Sequence, residues 1–332
     1  MSLKNLVSLI FFVFDSFFGS ISCAEELNIF FKTTPRAELL RPFVDPTDLS
    51  LLITGVDGRP VKQGTVAIRL EAPRPGRFFS TDYPLVEGAV LSEMQLTLRQ
   101  GRANWKQLFP IRGEYRLTVD VVSSNGTKAS KEFTFEVREN QKKWLALAAF
   151  SAGLLIVGFV AGRVFTGPRA SSASMIAAMT LLAGSAGISG AQQTSNTGVL
   201  EIEHAIVEPT SVGAPSRLGW KLSSSGGADA RTAILTLTVT HLEKQKVVFA
   251  VEKMAVPGEW SMMFRFPDAG EYRIVAVGNV PGLAPVRSEQ VIAVTGVEPP
   301  IKAMLPALSF FLFLTALGLG LGRWSKRRSN AV

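Results

Sequence analysis

Three long stretches of this chain carry no charged residue: Trp144 to Gly162, Ser171 to Ala191 and Ala303 to Gly322. Each approaches the roughly 20 residues an α-helix needs to cross bilayer hydrocarbon. Inside lipid every backbone N–H and C=O has to be satisfied within the spanning structure, which makes helices the form such stretches take. They leave two polar blocks of domain size, 27–140 and 199–299. The charged content of 19% lies below the roughly 25% of ordinary soluble domains, as membrane segments would make it.

The formal net charge is +8, and its location decides what it means. The block 27–140 nets +3, the block 199–299 nets −2, and the termini and membrane flanks together net +7. Basic residues at membrane edges orient helices and meet anionic lipid. A nucleic-acid surface needs its excess on a folded domain. Lipid is therefore the expected contact of the basic flanks, and nucleic acid is not expected as a partner.

The N-terminus has Lys4, the apolar run Leu6 to Phe14, then small residues at Ser20, Ser22 and Ala24. That is the layout of a secretory signal over residues 1–24. Asp15 interrupts the apolar region, so an uncleaved anchor is the alternative. Cys23 is the one cysteine of the chain and rules out an intrachain disulfide. As a lipidation site it would stand three residues after Ser20, where bacterial lipoproteins usually have Leu. Arg323, Lys326, Arg327 and Arg328 follow the last stretch, which makes 323–332 a basic cytoplasmic tail. Working backwards, 199–299 lies outside, the connector 163–170 inside, and 27–140 outside. Lys142 and Lys143 sit on the outer side of the first span and oppose that order. For 171–191 two readings stand, a true span or an internal signal-like segment cut after Ser189-Gly190-Ala191. None of the three stretches holds an ionisable residue, the usual mark of pumps and ion-coupled transporters.

The chain repeats one plan. Val66, Ile68 and Leu70 alternate with polar neighbours, as do Ala233, Leu235 and Leu237, the period of strands with one face on a core. Trp105 and Phe109 lead to Gly113-Glu114-Tyr115-Arg116; Trp260 and Phe264 lead to Gly270-Glu271-Tyr272-Arg273. Each block then passes to a helix ending in Gly-x-x-x-Gly-Arg, at Gly158–Arg163 and Gly318–Arg323. About seven strands fit each block. In the second they fall near 200–206, 217–222, 232–241, 247–253, 259–266, 271–277 and 287–294, with Gly226-Gly227 and Pro257-Gly258 in turns. Asn125-Gly126 reads as a hairpin turn, although with Thr127 it also spells a glycosylation sequon.

Asp268-Ala269-Gly270-Glu271-Tyr272-Arg273-Ile274 resembles the Asp-x-Gly-x-Tyr-x-Cys stretch of immunoglobulin-like domains. The resemblance implies a tyrosine corner at Tyr272 and Tyr115, with Gly270 and Gly113 in the turn before each. Ile274 and Leu117 stand where that family has its second cysteine, which points to cysteine-free, fibronectin-type or bacterial immunoglobulin-like domains. The expected fold is all-β extracytoplasmic domains plus transmembrane α-helices. Two immunoglobulin-like β-sandwiches, at 27–140 and 199–299, are each followed by a membrane anchor helix, at 144–162 and 303–322.

A catalytic constellation is not legible. His204 and His241 are the two histidines, and no motif supplies the nucleophile and acid a histidine-based site needs. The glycines of 318–322 lie in an apolar stretch with no preceding strand, which excludes a phosphate loop. Gly158, Gly162, Gly318 and Gly322 suit close packing against another helix. His204, His241, Met254, Met262 and Met263 share the second block, and imidazole with thioether sulfur suits copper. Two outer domains joined through membrane spans resemble, in layout alone, the B subunit of membrane-bound methane and ammonia monooxygenases. The histidine cluster of that family has no counterpart in the first block, which contains no histidine. The expectation is a non-catalytic accessory or scaffolding subunit of a bacterial inner-membrane complex. It would need no cofactor, keep both domains on the periplasmic face, and dock an integral-membrane or periplasmic protein. A periplasmic copper-binding or metal-delivery protein is the alternative.

Overall fold

The computed structural model describes residues 27–76, 80–165, 200–206, 210–224, 233–256, 259–279 and 284–329. The signal-like residues 1–24 with Cys23, the stretch 171–191, and the turns at Gly226-Gly227 and Pro257-Gly258 lie outside them. The first half holds β1 (Asn28–Thr34), β2 (Thr47–Thr54), β3 (Gln63–Glu71), β4 (Val90–Arg99), β5 (Arg102–Gln107), β6 (Gly113–Ser123) and β7 (Lys128–Val137). Helix α1 (Gln141–Val164) follows. The second half holds β8 (Leu200–Ile206), β9 (Thr210–Ser211), β10 (Pro215–Ser224), β11 (Ala233–His241), β12 (Lys246–Val256), β13 (Glu259–Arg265), β14 (Gly270–Asn279) and β15 (Val286–Thr295). Helix α2 (Ile301–Ser329) closes the chain.

Strands form where side chains alternate. Along β11 the apolar Ala233, Leu235, Leu237 and Val239 are fully buried while Ile234, Thr236, Thr238 and Thr240 face partly outward. Asn125-Gly126 turns β6 into β7: Gly126 has φ +86°, its N–H bonds Ser123 C=O at 2.9 Å, and Asn125 Oδ1 accepts from Thr127 N–H at 3.1 Å.

β4 and β5 form a hairpin that holds together at a single register pair, Arg99 opposite Arg102. They then part into separate ladders. One runs β7-β6-β3-β4-β13-β10-β8, the other β1-β2-β5-β12-β11-β14-β15-β9. All pairs are antiparallel except β9 with β15. The buried faces of both ladders contribute to one continuous apolar core.

Both ladders therefore cross from the first half to the second, a union the repeat did not indicate. On one side Met94 stands opposite Met262, Glu93 opposite Met263, and Ser92 opposite Phe264. On the other Val251 stands opposite Trp105, Ala250 opposite Lys106, and Phe249 opposite Gln107. Each pair of the first set becomes one of the second when its members exchange halves at a shift of 157 positions. The seam is thus a pseudo-twofold, self-complementary contact within one chain. It has a plain cause: four strands that would present open edges to water satisfy one another's backbone groups instead.

The register also corrects the repeat by two residues. Leu117 pairs Leu70, and Ile274 pairs Val239, so Ile68 corresponds to Leu237 rather than to Leu235. At the shift that superposes Tyr115 on Tyr272, Phe109 corresponds to Phe266 and Trp105 to Met262. A slip of two leaves the buried face unchanged, which is why the alternation alone did not expose it.

Candidate functional site

The sequence singled out two tyrosines, and both are fully buried. The Tyr115 hydroxyl donates to Ile111 C=O at 2.8 Å and accepts from Ile111 N–H at 3.2 Å. The Tyr272 hydroxyl donates to Asp268 C=O at 2.9 Å, the same four-residue step back. Phe109 and Phe266 meet these rings edge-on, each at 4.8 Å between centroids. Burial raises both phenols well above the usual tyrosine range. Gly113 (φ +122°) and Gly270 (φ +129°) lead into the two strands. A Cβ on Gly113 would meet Pro73 Cβ at 2.7 Å, and one on Gly270 would meet His241 Cε1 at 2.9 Å. Side chains are excluded there both by backbone conformation and by space.

The residues considered for copper lie on four strands: His204 on β8, His241 on β11, Met254 on β12, and Met262 and Met263 on β13. His241 is buried, its ring tilted against Tyr272 at 4.7 Å between centroids, with Nε2 3.2 Å from Ala269 C=O and 3.8 Å from Asp268 Oδ2. Met254 stands opposite Leu235, six residues along β11 from His241, which is about 20 Å of strand. Met262 is buried in the seam opposite Met94, while Met263, next along the strand, is half-buried and opposite Glu93. His204 is in register with Trp220 on β10, which in turn pairs and stacks with Trp260 at 5.3 Å. Among the described residues no group of three or more His, Cys, Asp or Glu could hold a metal ion.

The four helix glycines, by contrast, are brought together. A Cβ on Gly158 would meet Thr315 O at 2.5 Å and Gly318 Cα at 3.2 Å; one on Gly318 would meet Leu155 O at 2.5 Å. Gly162 abuts the backbone of Leu319, and Gly322 that of Phe159. The contacts advance in the same direction along both helices, so α1 and α2 run parallel. Phe150 and Phe311 meet edge-on at 5.2 Å, and Lys326 Nζ donates to Arg163 C=O at 2.9 Å. Asn140 caps α1 by accepting from Lys142 N–H at 3.1 Å. The expected tail 323–332 is helical as far as Ser329, since Lys and Arg are good helix formers and favour the negative end of the helix dipole. The outer flanks are bare apolar surface: Leu145 is 71% exposed, Ile156 and Leu312 63%, Phe313 61%.

A cleft of about 590 Å³ opens beside the seam, where β4, β5 and β12 part. Its walls carry Asp48, Ser50, Thr97, Arg99, Arg102, Ala103, Asn104, Trp105, Lys106, Glu252 and Lys253. Lys106 reaches across it, 3.1 Å from Glu252 and 3.9 Å from Asp48, and the bond to Glu252 raises its pKa. Lys253 lies in the left-handed region at φ +53°, on a bulge of β12 where Thr236 Oγ1 accepts its N–H at 3.2 Å. Sequence reasoning missed this place. These residues are scattered over four strands, β2, β4, β5 and β12, and the one available signal was Trp105, read there as a repeat position.

A β-rich chain with, among the described residues, two helices long and apolar enough to cross a membrane is the class these features define. No protein-family model matches the sequence, and no curated protein matches it. Among solved structures, the chain is similar to the soluble domain of PmoD from Methylocystis sp. ATCC 49242 (Rockwell), at 12% identity and a TM-score of 0.24. That alignment covers 34% of this chain and 92% of the other. Latent PorU from Porphyromonas gingivalis aligns at 10% identity over 83% of this chain and 24% of its own, with a TM-score of 0.26. Invasin, a bacterial integrin-binding protein, aligns at 9% identity over 82% and 40%, with a TM-score of 0.23. These scores fall short of a shared fold, and nothing about function follows from them.

Proposed function

We propose that this chain is a non-catalytic accessory or scaffolding subunit of a bacterial inner-membrane complex. Two immunoglobulin-like sandwiches stand together on the periplasmic face, and α1 and α2 anchor them. The observation that carries this reading is the parallel, glycine-packed helix pair with its bare apolar flanks. Lipid tails are as apolar as leucine, so helices pair in a membrane by close backbone approach, and glycines allow it. In water the exposed Leu, Ile and Phe of the flanks would be a large unpaired apolar patch. In a bilayer they meet lipid or the helices of another subunit.

Parallel helices support one side for both sandwiches, because each helix begins at the end of its own β half. They also support a third crossing. After Val164 the chain has to return before β8 begins at Leu200, and residues 171–191 have the length and composition to do so. The arginines and lysines after Gly322 then face the cytoplasm. His241 packs against Tyr272 at one of the two corners, which supports a structural role for that histidine.

The test is affinity isolation of the chain from native membranes in several mild detergents, with protein mass spectrometry and elemental analysis of the same sample. A membrane protein recovered in fixed ratio with the chain supports the reading. Recovery of the free monomer in every detergent, or stoichiometric copper without a partner, overturns it.

A further inference from the structure

The pseudo-twofold seam makes one asymmetry conspicuous. Under its exchange of halves Trp260 corresponds to Ala103, and Gln95 to Glu252. On the Trp260 side the indole fills the space, and its N–H donates to Gln95 C=O at 2.7 Å across the seam. On the other side alanine leaves that space open, and Ala103 and Glu252 both line the cleft. The cleft is therefore the unfilled counterpart of an occupied position.

Three further observations say what fits it. Trp105, only 2% exposed, lines the cleft, and its indole N–H has no acceptor. A buried donor left unpaired is unusual in a folded protein and calls for a partner. The cations outnumber the carboxylates: Asp48 and Glu252 both engage Lys106, while no ion pair among the described residues engages Arg99, Arg102 or Lys253, all of them exposed. Finally, the β5–β12 ladder ends at Trp105 and the β4–β5 ladder at Arg102, so Asn104 has a strand partner on β2 alone. A short run of strand edge thus faces the opening.

We propose that this cleft receives an extended acidic segment of a partner protein. The segment lies along β5 beside Asn104, sets carboxylates against Arg99, Arg102 and Lys253, and offers an oxygen to the Trp105 indole. This is strand addition with charge selection: main-chain groups supply general affinity and the cations supply specificity. The inference rests on the accessory-subunit reading and names the surface through which the outer domains would dock.

The experiment uses the full chain in detergent and a fluorescently labelled, end-blocked tetraglutamate peptide, read by anisotropy. Saturable binding is expected, weakening as salt rises. Arg99→Ala with Lys253→Ala should weaken it at least tenfold. Ala103→Trp, which plugs the cleft as Trp260 plugs its counterpart, should do the same with every charge in place. A tetralysine peptide should not bind. Absence of saturable tetraglutamate binding overturns the proposal, as does wild-type affinity in a folded charge variant. Displacement by citrate at concentrations equal to the peptide's would mark a small-polycarboxylate site and overturn the peptide assignment. The two readings fail separately: a partner retained by the charge variants leaves the accessory role standing without this cleft, and no partner on the wild type removes the role itself.

Discussion

Removing one hydroxyl at a time from the two corner tyrosines should cost unequal amounts, because the two hydroxyls satisfy different numbers of backbone groups. Tyr115 serves both the N–H and the C=O of Ile111, a residue that is 2% exposed. Tyr272 serves the C=O of Asp268 alone, and Asp268 is partly open to solvent. A buried group stripped of its partner costs about 1–3 kcal/mol, and less where water can replace it. Tyr115→Phe should therefore destabilise the β unit by roughly 2–4 kcal/mol and Tyr272→Phe by roughly 1–2 kcal/mol. At about 2–4 °C per kcal/mol for a unit of this size, the difference is readable in Tm. Ring packing on Phe109 and Phe266 survives both changes, so the hydroxyl is the variable tested. Thermal and urea unfolding of the detergent-solubilised chain, followed by tryptophan fluorescence, gives the comparison. Equal losses, a larger loss at Tyr272, or losses below ~0.5 kcal/mol at both would refute the reasoning.

The chain's three tyrosines, Tyr83, Tyr115 and Tyr272, all have pKa values raised chiefly by burial. The folded state thus holds these protons more tightly than the unfolded chain does; the stability this represents is complete below pH ~10 and is lost as pH rises further. Tyrosinate absorbance should lag free tyrosine and appear together with unfolding; a titration near pH 10 with fluorescence unchanged would contradict this. Gly158→Leu or Gly318→Leu should force α1 and α2 apart. In a Cys23→Ser background, Phe150→Cys and Phe311→Cys should then no longer be joined by a short bis-maleimide, and undiminished cross-linking would count against the glycine contact. Trp260→Phe removes the bond to Gln95 across the seam and should cost roughly 2 kcal/mol; an unchanged urea midpoint would show that the indole does not tie the halves.

Much of the architecture was readable because it rests on local periodicity. Alternation placed the strands of the second half within a few residues, and the apolar stretches marked α1 and α2. The Gly-Glu-Tyr-Arg repeats marked both corners, since a buried tyrosine beside a positive-φ glycine needs those residue types wherever it occurs. The glycines of α1 and α2 announced a packing face without naming its partner: the sequence of one helix does not say whether its neighbour lies in the same chain. The seam was not legible. Nothing in Leu91-Ser92-Glu93-Met94 or in Ser261-Met262-Met263-Phe264 distinguishes an edge that meets the other half from one that meets water. Met262, a candidate metal ligand by composition, is core for that reason. The cleft was further out of reach, because it depends on where three strands diverge and on Ala103 standing where the pseudo-symmetric position has Trp260.

The proposed topology puts both β halves outside one membrane and the basic tail inside. Single cysteines in a Cys23→Ser background, at Asn125 in the β6–β7 turn, at exposed Lys221 in the second half, and at Ser329 at the end of α2, test it directly. Spheroplasts treated with a membrane-impermeant maleimide should label the first two sites at once and Ser329→Cys after permeabilisation alone. Labelling of Ser329→Cys in intact spheroplasts, or protection of either β half, would contradict the account.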